Sequence, residues 1–255
     1  KKGQVRIGLK FTNRVPDSWK GLQDLVAEYL IVAGYRAITP CEIDTVRGKV
    51  EVDVCVEAPY DLVKRIICEC KYWNTPVPKE KVHAFRTVVH DCGAELGIII
   101  SKEGYQSGAI EAAKFSNVRL ETWDTFLELV KDKWIDNKLW SVKTMTAKIM
   151  NYRDTYEYEA ERLTDEEYPR YKDTCTNITD FVEQGLLVRK SDLLNGSDFI
   201  QRFPLYQQSE SIEHYLDELS SKLKETLDIL ESLSVKPNKP NRFLSTVRSF
   251  MEETE

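Results

Sequence analysis

Residues 66–73 read IICECKYW, an apolar run into which two cysteines, a glutamate and a lysine intrude. Side chains alternate faces along a strand, so Ile66, Cys68 and Cys70 share one face while Ile67, Glu69 and Lys71 share the other. Sulfur chemistry and carboxylate chemistry therefore lie on opposite sides. A thiolate metal site needs two more ligands than Cys68 and Cys70 supply, and free cysteine behaves as a small buried hydrophobe, so these two are assigned to the core. The carboxylate face is the one to follow.

Working outward, GKVEVDVCVEA (48–58) alternates strictly, with Val50, Val52, Val54 and Val56 on one face and Glu51, Asp53 and Cys55 on the other. It predicts one strand, joined as a hairpin through APYD (58–61) to the strand 63–73. Upstream, DSWKGLQDLVAEYLIVAG (17–34) predicts an amphipathic helix with Asp17 or Ser18 as N-cap, Leu22, Leu25, Val26, Tyr29 and Ala33 as its apolar stripe and Gly34 as its stop. YRAITP reads as a short strand. Downstream, residues 74–91 predict a helix burying Val82, Phe85 and Val89. ELGIIIS reads as a strand covered on both faces, followed by a helix over 106–116, the strand VRLETW and the helix DTFLELVKDKW. The crossover from Lys71 to Leu96 favours a parallel neighbour inside a covered sheet.

After about residue 130 strand signals fade. Residues 163–188 and 211–233 read as helices, the latter with Ile212, Tyr215, Leu219, Leu223, Leu227, Leu230 and Leu233 in one stripe. That stripe suits a domain core or an oligomer surface equally. The polar link SVKPNKPN precedes a terminal helical stretch.

The 255 residues carry a net charge of −6, which argues against a protein that coats nucleic acid non-specifically but leaves room for a local basic cleft. Residues 1–130 are balanced at 18 basic to 18 acidic, and all of the excess negative charge falls in 131–255, with 24 acidic to 18 basic. No stretch approaches a membrane span, and KKGQVRIGLK lacks the apolar core of a signal peptide. The six cysteines are scattered and read as reduced thiols of a cytoplasmic protein rather than a disulfide framework. His83 and His90, seven residues apart on one helix face, read as surface residues.

Antiparallel pairing with the acidic faces aligned puts Asp53 beside Glu69, about 5 Å apart. Two carboxylates that close are costly unless a cation lies between them. All-oxygen ligands suit Mg²⁺ or Mn²⁺, and Lys71 on the same face is placed to position or deprotonate water. Such a set can hydrolyse phosphodiesters.

The order of these motifs resembles the PD-(D/E)XK nuclease superfamily, and most closely its Mrr-type restriction endonuclease domain, over residues 18–125. The resemblance is carried by LQDLVAEYLIVAGY, VDVCV, CECKYW, PVPKEKVHAFRTV and GAELGIIISKEGYQSGAIEAA. It implies Asp53 and Glu69 as metal ligands, with the backbone carbonyl of Cys70 as a further one, and Lys71 as the catalytic lysine. It also implies a glutamate eleven residues before Gly34, where this chain has Gln23. Gln23 is kept as a site residue of weaker cation affinity, because an amide oxygen carries no charge. Candidate DNA contacts are Tyr72, Trp73, Lys102, Gln106 and Ser107.

The expectation is thus an α/β protein with a restriction-endonuclease-like αβββαβ core and a central mixed sheet (1–130), followed by a mainly α-helical accessory, partner or oligomerisation domain (131–255). The function it implies is Mg²⁺-dependent (or Mn²⁺-dependent) DNA cleavage in microbial defence, with DNA as substrate and a homodimer or larger assembly, one with an ATPase subunit included, as the working form. The rival expectation is a catalytically weak nucleic-acid-binding or sensor subunit.

Overall fold

The computed structural model describes residues 8–57, 65–153 and 163–233. The turn APYD and the polar link with its terminal stretch lie outside the described residues. The chain divides into two compact units, one formed by Arg14–Asn137 and one formed by the chain from Lys138 onward with the segment before Arg14.

The first unit runs α1 (Trp19–Val32), β1 (Arg36–Ile38), β2 (Cys41–Thr45), β3 (Gly48–Val52), β4 (Val54–Glu57), β5 (Arg65–Lys71), α2 (Lys79–Asp91), β6 (Leu96–Ser101), α3 (Ser107–Ala113), β7 (Val118–Thr122) and the start of α4 (Trp123–Arg153). The main sheet has the order β1-β4-β5-β6-β7. Its first two pairings are antiparallel and its last two parallel, so the expected mixed sheet is present. Ser18 caps α1 by accepting the N–H of Gly21, and Gly34 ends the turn after it at φ +92°, a conformation that favours glycine.

Two parts of the sheet differ from the sequence expectation. The single strand over 48–58 breaks at Asp53. β3 leaves the sheet to pair with the unanticipated β2 in a two-stranded ribbon, while β4 stays in the sheet beside β5. The thiols are not all reduced either: Cys41 and Cys55 form a disulfide with Cα atoms 5.9 Å apart. The ribbon explains the pairing, because its register sets Cys41 opposite Val52, three residues from Cys55. Cys68 and Cys70 lie buried, as expected, and burial pushes the Cys68 thiol up to about 12.

On one sheet face, Cys55, Ile67 and Ile99 pack with Val82, Phe85 and Val89 of α2 and Ala109 of α3. α1 contacts β1, β4 and β5, and its Tyr29 meets the rings of Trp123 and Trp134 from α4 at 5.6 and 6.2 Å.

The second unit holds the rest of α4, then α5 (Glu167–Asn177), α6 (Thr179–Leu187), α7 (Lys190–Asn195), α8 (Asp198–Gln201), α9 (Pro204–Gln208) and α10 (Ile212–Glu231). The stripe from Ile212 to Leu233 is buried, so it is core and offers no oligomer surface. The N-terminal segment pins the start of α10: Lys10 and Phe11 carbonyls accept the N–H groups of Ile212 and Glu213 at 2.8 and 2.9 Å. No helix of the described residues is long and apolar enough to cross a membrane.

Gly97 shows how closely α2 sits on the sheet. A Cβ there would meet Val89 Cγ2 at 2.5 Å and Phe85 Cε1 at 2.8 Å. Gly97→Ala is expected to lower stability by about 1–3 kcal/mol, read as a reduced urea midpoint with an unchanged slope.

Candidate active site

Where β3 departs, Asp53 occupies the bend at the start of β4. The β4–β5 register sets Val54 opposite Cys68, and one further step brings Asp53 level with Glu69. Asp53 Oδ2 accepts the backbone N–H of Cys70 at 2.6 Å. Its Oδ1 accepts the amide of Gln23 at 3.2 Å, and the same amide donates to the Asp53 carbonyl at 3.1 Å. Gln23 reaches this point from α1 and is almost fully buried, at 2% exposure. Its oxygen faces away, toward Lys20 Nζ at 3.3 Å.

On β5, the Lys71 ammonium pairs with Glu69, and both side chains are mostly shielded, at 17% and 25% exposure. Burial raises the Asp53 carboxyl above its ordinary value, with Glu69 adding to the rise. The Cys70 N–H and the Lys71 charge pull the other way. Asp53, Glu69, Lys71 and Gln23 are therefore together at one end of the sheet. Glu28, on the same helix as Gln23, is instead held by Arg14 at 2.5 and 2.8 Å.

Cys70 meets Asp53 through its N–H, and burial pushes its thiol well above the usual range. Among the described residues no group of three or more His, Cys, Asp or Glu side chains converges to hold a metal. Two carboxylates still fit one cation class. Mg²⁺ and Mn²⁺ commonly take one or two carboxylates and complete their shells with water and substrate phosphate.

The remaining candidates divide. Tyr72 donates to the Pro16 carbonyl at 3.1 Å, and its ring lies 4.9 Å from Lys102 Nζ. Lys102 also donates to Asn74 at 2.7 Å, while its backbone N–H meets the Lys71 carbonyl at 3.0 Å. Trp73 lies 5.3 Å from Lys71 Nζ. These three residues border the acidic pair. Gln106 and Ser107 stand further along, exposed at the start of α3, and no side-chain bond ties them to Asp53 or Glu69. Two residues that the sequence pattern did not single out also lie here: Asn74, which accepts from Lys102, and Lys81, whose Nζ is 5.9 Å from the centre of the Trp73 ring.

The mixed sheet with its flanking helices is consistent with a restriction-endonuclease-like α/β core. Residues 17–130 match the Mrr_cat family model, described as a restriction endonuclease. This first unit is accordingly a domain of restriction-endonuclease type. Among solved structures, a protein of unknown function, AF1548, is 16% identical over 84% of this chain and 97% of its own, with a TM-score of 0.38. The DNA modification-dependent restriction endonuclease AspBHI is 12% identical over 52% of this chain and 40% of its own, with a TM-score of 0.25. Both likenesses are too distant to carry an argument. No curated protein matches the chain.

Gln23→Glu would set a third carboxyl against Asp53. In the metal-free protein at pH 7.5 it is expected to cost about 1–3 kcal/mol. A buried acid beside Asp53 is expected to hold its proton more tightly in the folded than in the unfolded chain, so the cost should shrink as pH falls. Urea denaturation at pH 7.5 and 5.0 measures this; a cost equal at both values contradicts the electrostatic account.

Proposed function

We propose that the first unit is a Mg²⁺- or Mn²⁺-dependent DNA endonuclease, Asp53 and Glu69 holding the cation with Gln23 beside them and Lys71 acting on the scissile phosphate. The observation that carries this reading is the meeting of both acids, the lysine and the α1 glutamine at one sheet end within a domain of restriction-endonuclease type. A bound cation supplies charge to the phosphoryl oxygens and acidifies water.

The chain's own residues do the rest. The Cys70 N–H and the Gln23 amide each fix one oxygen of Asp53, so the carboxylate is oriented before substrate arrives. Lys71 brings fixed positive charge to the oxygens that gain negative charge during hydrolysis. Tyr72, Trp73 and Lys102 border the strand entry, and Gln106 and Ser107 extend it. Cutting both strands calls for two sites, hence a dimer or a larger assembly, an ATPase-bearing one included. Cleavage of foreign DNA in the cytoplasm is the role such a domain serves.

A second reading, a nucleic-acid-binding or sensor subunit with weak turnover, draws on Gln23: its amide nitrogen faces Asp53, so the site has two anionic side chains instead of three.

Plasmid and linear DNA incubated with Mg²⁺, Mn²⁺ or EDTA test the first reading. Wild type is expected to cut with either metal and not with EDTA, and Lys71→Ala to cut at least about a hundredfold more slowly. Mg²⁺ is also expected to raise the melting temperature of wild type but not of Asp53→Asn. Absence of metal-dependent cleavage on every DNA, with cell extract added, overturns the enzyme reading. Faster cutting by Gln23→Glu supports the second reading's premise that the amide attenuates turnover.

A further inference from the structure

Lys81 stands in the first turn of α2, exposed, one residue before the buried Val82. Its Nζ lies 5.9 Å from the centre of the Trp73 ring system, and Lys71 Nζ lies 5.3 Å from the same centre. One indole therefore holds two ammonium groups, which are no further apart than the sum of those distances, about 11 Å. The π face attracts each cation, which offsets their mutual repulsion.

The two lysines differ in their balance. Lys71 is paired with Glu69, whereas Lys81 has no carboxylate partner among the described residues. Lys102, the other lysine at this rim, is shared among Asn74, Glu103 and the Tyr72 ring. Lys81 is thus an exposed positive charge whose ammonium lies near the Trp73 ring and so on the same side as Lys71 and its acidic partner. Successive phosphates on one DNA strand advance ~3.4 Å along the helix axis, so two ammonium groups in this span reach phosphates close together on a strand.

We propose that Lys81 binds a DNA phosphate adjoining the one faced by Lys71, and that Trp73 is the positioning residue that sets the spacing between the two lysines. The proposal rests on the nuclease reading above and extends it to how the substrate strand is gripped.

The test compares wild type, Lys81→Ala, Trp73→Leu and Trp73→Phe in the full chain. Affinity for a short DNA duplex is measured by fluorescence anisotropy in EDTA between about 50 and 200 mM NaCl, and KM and kcat are measured with Mg²⁺. Lys81→Ala is expected to weaken binding about five- to tenfold at the lower salt, to reduce the slope of log affinity against log salt by about one, and to raise KM more than it lowers kcat. Trp73→Leu is expected to reproduce those changes, the rise in KM again exceeding the fall in kcat, with Trp73→Phe restoring both affinity and KM.

If wild type cuts DNA while Lys81→Ala keeps its affinity, salt slope and KM, the assignment of Lys81 is overturned and the nuclease reading stands. A wild type that neither binds nor cuts DNA overturns both. Lys81 is exposed, so its variant folds and decides the question even if Trp73→Leu does not.

Discussion

A single carboxylate accepting a single backbone N–H organises the first unit. β5 runs on to Lys71, but its antiparallel partner β4 begins only at Val54, because β3 has turned away to pair with β2. The N–H of Cys70, a buried residue, would be left without a strand partner there, and an unpaired buried donor costs about 1–3 kcal/mol. Asp53 takes it up. The acid is held at the bend by this backbone need, and the burial that results raises its pKa. A buried acid level with Glu69 then calls for positive charge, which Lys71 supplies within the chain.

Much of this was legible in the residues. Alternation in IICECKYW separated the cysteines from Glu69 and Lys71, and the helical phase of Val82, Phe85 and Val89 identified the face of α2 that packs on the sheet. The pairing of Asp53 with Glu69 followed from counting across a hairpin. What alternation could not report was the break at Asp53. A strand that changes sheets keeps its period of two on either side of the bend, so 48–58 reads as continuous. β2 was hidden for a related reason. CEIDT buries only Ile43, and a ribbon outside the main sheet needs few apolar residues to form. The disulfide depended on that ribbon and was hidden with it.

The second unit was legible as helical and as little else. Its longest apolar stripe was ambiguous between core and interface until the packing was known, because both demand the same spacing. The structure resolves it as core, with Tyr215 donating to Gln184 and meeting Tyr206 edge-on. The long segment expected over 163–188 divides at Ile178, where α5 ends and α6 begins.

Beyond β5 and β6 the chain makes two loops that are stitched together. Val77 and Tyr105 form a parallel bridge, Val77 N–H meets the Gly104 carbonyl at 2.9 Å, and Gln106 N–H returns to the Val77 carbonyl at 3.0 Å. Val77 is fully buried, so this seam is anchored as well as bonded. The two loops carry residues of different lineage in the sequence, nearly thirty positions apart, yet they behave as one brace. Movement of either loop is therefore constrained by the other, because a shift in the first must either carry the second with it or break the backbone bonds between them.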